Sequence, residues 1–154
     1  MDTIILCIGE ESLDRAKDSF VKKLGKDISF EYIDSEKPID TTEVCKSISE
    51  RNLKVILFAS FIQQQESSCL LQLAEKLHEE NIECHAITIL PFPFEGIKRK
   101  ELVLKTNEQL KQYCASVLSI DRENEYESKQ NMLISDYFSQ EDDKITTLMA
   151  GIIG

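Results

Sequence analysis

The chain has 154 residues, 42% of them hydrophobic and 30% charged, a balance that suits one soluble domain with a sizeable core. Its formal net charge of -10 argues against nucleic acid and anionic membrane as partners, since both are bound through a basic face. No apolar stretch reaches the length of a membrane span, and the opening Met1-Asp2-Thr3 lacks the basic start of a signal peptide.

Residues 3–8 form a short apolar run, a buried strand. Residues 12–24 carry Leu13, Ala16, Phe20, Val21 and Leu24 at helical spacing. Residues 28–33 alternate as a second strand, and a loop with Pro38 follows. Thr41 or Thr42 can cap a helix that runs to about Arg51, with Val44, Cys45 and Ile48 on one face. Residues 53–59 are a strongly apolar third strand. Residues 67–80 read as a helix with Leu70, Leu71, Leu73, Ala74 and Leu77 inward, and residues 82–90 as a fourth strand. A helix is expected over residues 99–115, with Leu102, Leu104, Leu110 and Tyr113 inward. Residues 117–120 make a short fifth strand, and residues 121–130 a polar, acidic surface loop. Residues 132–138 then form a short helix, and Ser139 starts another.

Strand and helix alternate throughout. That pattern gives an α/β fold, a three-layer Rossmann-like sandwich whose mostly parallel sheet carries helices on both faces. Residues 1–154 are expected to be one domain. In such sheets ligands bind outside the carboxyl ends of the strands.

The cysteines are Cys7, Cys45, Cys69, Cys84 and Cys114, an odd number without CxxC spacing and mostly inside apolar runs. They point to a reduced, cytoplasmic protein without disulfides. His78, Cys84 and His85 are zinc-type donors, but no fourth ligand stands at usable spacing, so no metal is expected. No nucleophile elbow, Walker loop or paired-cysteine motif appears. Neither His78 nor His85 has a catalytic partner visible in the sequence.

One segment is far more specific. Pro91-Phe92-Pro93-Phe94-Glu95-Gly96-Ile97-Lys98-Arg99-Lys100 joins the fourth strand to a helix. It resembles the Pro-Phe-x-Phe-Glu-Gly-x-x-Arg segment of the tubulin/FtsZ family of polymerising GTPases. The likeness extends along most of the chain. Residues 4–8 with Gly9 resemble the first strand entering the glycine-rich loop, and residues 55–59 the strand before the signature loop. Residues 28–33 with Asp34-Ser35-Glu36 resemble the second strand and its polar turn. Phe138, Asp143 and Gly151 fall where FtsZ has Phe, Asp and Gly.

The departures from the family carry the functional expectation. After the first strand the family has a run of glycines, where this chain has Gly9-Glu10-Glu11-Ser12-Leu13-Asp14. Backbone amides at a helix start hold phosphate because donors converge there and the dipole is positive, and glycine permits the close approach. Here Gly9 and Ser12 are the remaining phosphate-side candidates, beside two carboxylates that also suit the helix dipole. Like charges at ~4 Å cost roughly 1 to 4 kcal/mol per pair, which opposes a triphosphate. The family signature Gly-Gly-Gly-Thr-Gly-Thr-Gly falls near residues 62–68, which contain no glycine. Ser67 and Ser68 can donate to an anion there, or cap the following helix. Between Asp34 and Leu53 the chain is too short for the family's further phosphate loop. The given sequence stops at Gly154, inside what resembles the start of the long central helix. The family's Asn-x-Asp-x-x-Asp catalytic loop and second domain would lie beyond it, in a longer gene product if there is one.

The resemblance leaves the other half of the pocket in place. It implies that Glu95 and Arg99 lie near ribose and phosphates, that Phe138 stacks on guanine, that Asp143 reads the guanine edge, and that Asn124 is a partner amide. Plain structural roles stand beside these. Glu95 and Arg99 are spaced to pair with each other, Phe138 suits a core, and Asp143 follows Ser139 in a cap-like acidic first turn. The expectation is a catalytically inactive FtsZ-like domain that acts through a protein partner, self-association or an FtsZ relative, in cell division. Its apolar segment, residues 145–153, would need covering by such a partner. The alternative is a guanine-nucleotide-binding protein or weak GTPase, with GTP or GDP held by altered phosphate contacts. No other cofactor is expected.

Overall fold

A computed structural model of the chain describes residues 2–20, 24, 28–38, 40–122 and 132–154. Among them are five strands: β1 (Thr3–Ile8), β2 (Ile28–Ile33), β3 (Lys54–Ala59), β4 (Cys84–Leu90) and β5 (Ser116–Asp121). Five helices accompany them: α1 (Glu10–Arg15), α2 (Thr41–Arg51), α3 (Gln64–Glu79), α4 (Ile97–Leu110) and α5 (Ile134–Ile153). The strands form a single parallel sheet in the order β2-β1-β3-β4-β5. Thr3 sits opposite both Ile28 and Lys54, Val55 opposite Cys84, and His85 opposite Ser116.

Both faces of the sheet are covered, so β1 is buried at all six positions and β3 at five of six. Such strands read as continuous apolar runs rather than alternating ones. Alternate side chains feed two cores. On one face Ile4, Leu6, Ile8, Val55 and Leu57 pack with Leu70, Leu73 and Leu77 of α3 and with Val103 and Leu110 of α4. On the other, Ile5, Cys7, Ile56, Phe58, Ile87 and Ile89 meet Ala16 and Phe20 after α1, and Ile145 and Met149 of α5. The expected three-layer α/β sandwich is the architecture observed. After β2 the chain returns to the other side of β1, so the order reverses between β1 and β3. That switch point opens a crevice at the carboxyl ends.

Several local expectations are corrected. α1 begins at Glu10 rather than residue 12 and widens into a π turn over Ala16–Phe20. Asp40, not a threonine, caps α2, its carboxylate accepting from the Glu43 N–H at 3.1 Å. α3 starts at Gln64, because the Glu66 carboxylate reaches back to the Gln63 N–H at 2.9 Å. Ser67 therefore lies inside α3, not at its cap, where its hydroxyl meets Thr106 of α4 at 2.6 Å.

α4 turns Val103, Thr106, Asn107 and Leu110 inward, while Leu104 is 43% exposed. Apolar periodicity misplaces this face because two of its four buried residues are polar. Thr106 is bonded to Ser67, and Asn107 is bonded to Thr88 at 2.8 Å and Ser119 at 2.9 Å. Residues 132–153 hold one helix, not two. Ser139 is interior to α5, whose buried stripe Tyr137, Glu141, Ile145 and Met149 repeats every fourth residue. The apolar end of α5 is already packed: Ile145 and Met149 are buried, with Leu148, Ile152 and Ile153 against the same core. No helix among the described residues is long and apolar enough to cross a membrane.

Candidate functional site

The crevice at the switch point is a cleft of about 310 Å³ at the ends of β1, β2 and β3. Ile8, Gly9, Tyr32, Ser35, Phe61 and Gln65 line it, together with the acids Glu10, Glu11, Asp34, Glu36 and Glu66. Among the described residues no lysine, arginine or histidine contributes to the lining. Glu66 is buried and locked, one oxygen on the Gln63 N–H and the other on the Ser35 hydroxyl. It therefore staples the loop before α3 to the loop after β2 and fixes the cleft's shape.

Gly9 holds φ 86°, ψ 160°, a backbone state that a β-carbon disfavours. Its N–H donates to the Ile33 carbonyl at 3.0 Å, extending the β1–β2 ladder by one rung. The amide is thus consumed by the fold. Ser12 is 1% exposed. Its hydroxyl donates to the Ile8 carbonyl at 2.8 Å and accepts from the Ser60 N–H at 2.9 Å. It bridges the ends of β1 and β3 beneath the cleft floor rather than facing the cleft.

Glu95 and Arg99 pair with each other at 3.1 Å. The other Glu95 oxygen accepts the Phe92 N–H at 2.6 Å, which closes the turn before Gly96. The Arg99 guanidinium lies 4.5 Å from the centre of the Phe61 ring. Phe61 lines the acidic cleft, so the Glu95–Arg99 pair stands behind one wall of it.

A second cluster joins the ends of β4 and β5 to α1 and α5. At its centre Glu141 of α5 is 4% exposed and accepts two hydrogen bonds from Arg122, at 2.9 and 2.8 Å. Arg15 of α1 adds a third contact at 2.9 Å and also bonds Asp142 at 3.0 Å. The bidentate fork and the second arginine supply the partners that a buried carboxylate requires. Burial alone would raise the Glu141 pKa, but the bonds and charge of Arg122, aided by Arg15, outweigh it and hold the group below the usual glutamate range. Tyr137 is pushed up to about 12, by burial first and by Glu141 second.

Aromatic rings close over these charges. Arg122 lies 4.5 Å from the Phe92 ring and 5.5 Å from that of Phe138. Phe138 meets Tyr137 edge to face at 5.5 Å and Phe92 at 6.4 Å, and Arg15 lies 5.8 Å from its ring. Phe138 is therefore part of a half-buried aromatic–arginine stack. Asp143 is exposed on α5. Being two residues from Glu141, it points to a different side of the helix. Asn124 lies outside the described residues.

The structure brings Gly9 and Ser12 together at one end and Glu95, Arg99 and Phe138 around Phe61 and Phe92 at the other. Sequence reasoning missed Arg15, Arg122 and Glu141. The signal for Glu141 was its place on the apolar stripe of α5, where an acid demands a base. It also missed a partner for His85, whose Nδ1 lies 2.7 Å from the Ser116 hydroxyl, with Glu83 3.3 Å from Nε2. No cluster of three metal-ligating side chains occurs among the described residues.

The fold matches known structures. A single-site mutant of FtsZ from M. jannaschii superposes with TM-score 0.72 at 16% identity, covering 99% of this chain and 56% of that one. An empty FtsZ dimer from the same organism gives 0.69 at 17% identity, covering 99% and 55%. The chain has an FtsZ-like fold. It spans little more than half the length of those FtsZ chains. No protein-family model and no curated protein sequence matches it. Within the FtsZ-like fold, the acidic cleft lies at the ends of β1 to β3, and the Arg122–Glu141 cluster at the ends of β4 and β5.

Proposed function

We propose that this chain is a cytoplasmic, catalytically inactive FtsZ-like domain that acts in cell division by contacting another protein, either a copy of itself or an FtsZ relative. The observation that carries this reading is the charge of the cleft. Among the described residues, five carboxylates and no cation line the crevice where a phosphate would have to enter. At roughly 1 to 4 kcal/mol for each close pair of like charges, several such pairs outweigh what one or two backbone amides return. The Gly9 amide is already spent on β2.

Contact with protein is supported by exposed apolar residues beside the Arg122–Glu141 cluster. Phe94 is 72% exposed, Ile97 75%, Leu133 70% and Ile134 76%. Phe94 stacks on Phe92 at 5.1 Å, and Leu133 and Ile134 open the helix that carries Tyr137 and Phe138. The two exposed pairs thus flank one aromatic cluster. Large apolar side chains gathered in this way mark protein-binding surface more often than chance exposure.

Thermal-shift titration with GTP, GDP and GMP in the presence of magnesium tests the proposal. No rise in melting temperature is expected at nucleotide concentrations up to the millimolar range. Tight binding that disappears in Asp143→Ala would instead establish the guanine-nucleotide-binding alternative.

A further inference from the structure

We propose that Cys84 and Cys114 are an oxidant-sensitive thiol pair that closes into an intrachain disulfide. Cys84 opens β4, and Cys114 lies in the turn between α4 and β5. Their sulfurs stand 3.6 Å apart, with the Cys84 S–H donating to the Cys114 sulfur. The backbone holds both in place. The Ala115 N–H donates to the Cys84 carbonyl at 2.8 Å, and the Cys114 N–H to the Leu110 carbonyl at 2.9 Å. A disulfide has sulfurs roughly 2.05 Å apart, so closure asks for a shift on the order of 1.5 Å.

The two thiols differ in access and acidity. Cys84 is 1% exposed, whereas Cys114 is only partly buried, so a reagent from solvent meets Cys114 first. The hydrogen bond from Cys84 favours the Cys114 thiolate and lowers its pKa, while the same bond, with burial, raises that of Cys84. The other thiols are poor candidates. Burial pushes Cys7 up to about 12 and Cys69 up to about 11, and it raises Cys45 as well. Thiolate character and exposure govern oxidation, and both single out Cys114.

With hydrogen peroxide as oxidant the step balances. The Cys114 thiolate attacks one peroxide oxygen, the O–O bond breaks, and sulfenic acid forms with release of hydroxide. The Cys84 sulfur then displaces the sulfenic oxygen, which leaves as water with the Cys84 proton. The hydroxide recovers the proton first lost by Cys114. Overall, two thiols and one peroxide give one disulfide and two waters. The product ties the start of β4 to the entry of β5 and encloses α4 in a covalent loop.

The experiment is peptide mapping of the whole chain without reductant, before and after stoichiometric hydrogen peroxide. Trypsin places the two cysteines on different peptides, 77–98 and 112–122. The expected result is a linked 77–98/112–122 species lacking two hydrogens and cleaved by dithiothreitol. The melting temperature should rise by roughly 5 to 10 °C on oxidation and fall back on reduction. In Cys84→Ser, a sulfenic acid at Cys114 should be trapped by dimedone. A linkage through Cys7, Cys45 or Cys69, or oxidation of Cys114 to sulfinic acid in the wild-type chain without linkage to Cys84, would overturn the proposal. The mapping on wild-type protein decides the matter even if Cys84→Ser fails to fold.

Discussion

Glu141 is the residue on which three separate parts of the chain depend. It is 4% exposed, and it takes both arms of Arg122, itself 5% exposed, as well as a contact from Arg15. Replacing a buried ion pair by apolar groups is often neutral, but removing one partner strands the other charge. Glu141→Ala leaves Arg122 buried beneath Phe92 and Phe138 with its fork unfilled. The expected cost is about 3 to 5 kcal/mol in urea unfolding. A loss below about 1 kcal/mol would mean that Arg122 swings out to water and that the pair behaves like a surface one. The pH dependence has a definite sign. Glu141 is held below its ordinary value of 4.5 in the fold, because Arg122 and Arg15 outweigh burial. A depressed carboxylate stabilises fully above the unfolded value and stops doing so as pH falls through the folded one. The wild-type chain should therefore lose stability on acidification below about 4.5, and Glu141→Ala should lack that component of the slope.

The helix that carries Glu141 tests how elements are read from sequence. Ser139-Gln140-Glu141-Asp142 has the look of a cap followed by an acidic first turn. Were Ser139 a cap, Gln140 would be the first helical position, where proline is welcome. In the continuous α5 it is interior, and proline there removes a hydrogen bond and clashes with the preceding turn. Gln140→Pro should cost about 3 kcal/mol or more, measured by chemical unfolding, with a matching loss of helical circular dichroism. Near-neutral behaviour would restore the two-helix reading. The strands were legible for a simple reason: β1 and β3 are buried on both faces and read as unbroken apolar runs. The inward face of α4 was not legible, because Thr106 and Asn107 are buried by hydrogen bonds to Ser67, Thr88 and Ser119 rather than by apolarity. At the site, the missing glycines could be seen directly. The Arg15–Glu141–Arg122 cluster could not, because Arg15 and Glu141 lie far apart in sequence and Arg122 was absorbed into an acidic loop pattern.

At the scale of the whole molecule the governing quantity is the net charge of -10, concentrated in part around one cleft. Self-repulsion of this kind destabilises the compact state, and salt relieves it. The Debye length shrinks from about 30 Å at 0.01 M salt to about 8 Å at 0.15 M, so charges across a surface cleft are screened progressively over that range. Screening also weakens surface ion pairs such as Lys111–Glu108 and Lys76–Glu80, but each of these contributes about 0 to 1 kcal/mol. The buried Arg122–Glu141 pair is screened far less. Repulsion should therefore dominate, and the melting temperature should rise as sodium chloride increases across that range. Glu36→Gln is the cleaner probe of the cleft's share. Glu36 lines the cleft outside any helix, whereas Glu10 and Glu11 also gain from the start of α1. The variant should melt higher than wild type at low salt and respond less to added salt. A melting temperature that falls with salt, or a Glu36→Gln variant with an unchanged slope, would show that the cleft acids are already compensated and would remove the electrostatic case against an anion at the end of β1.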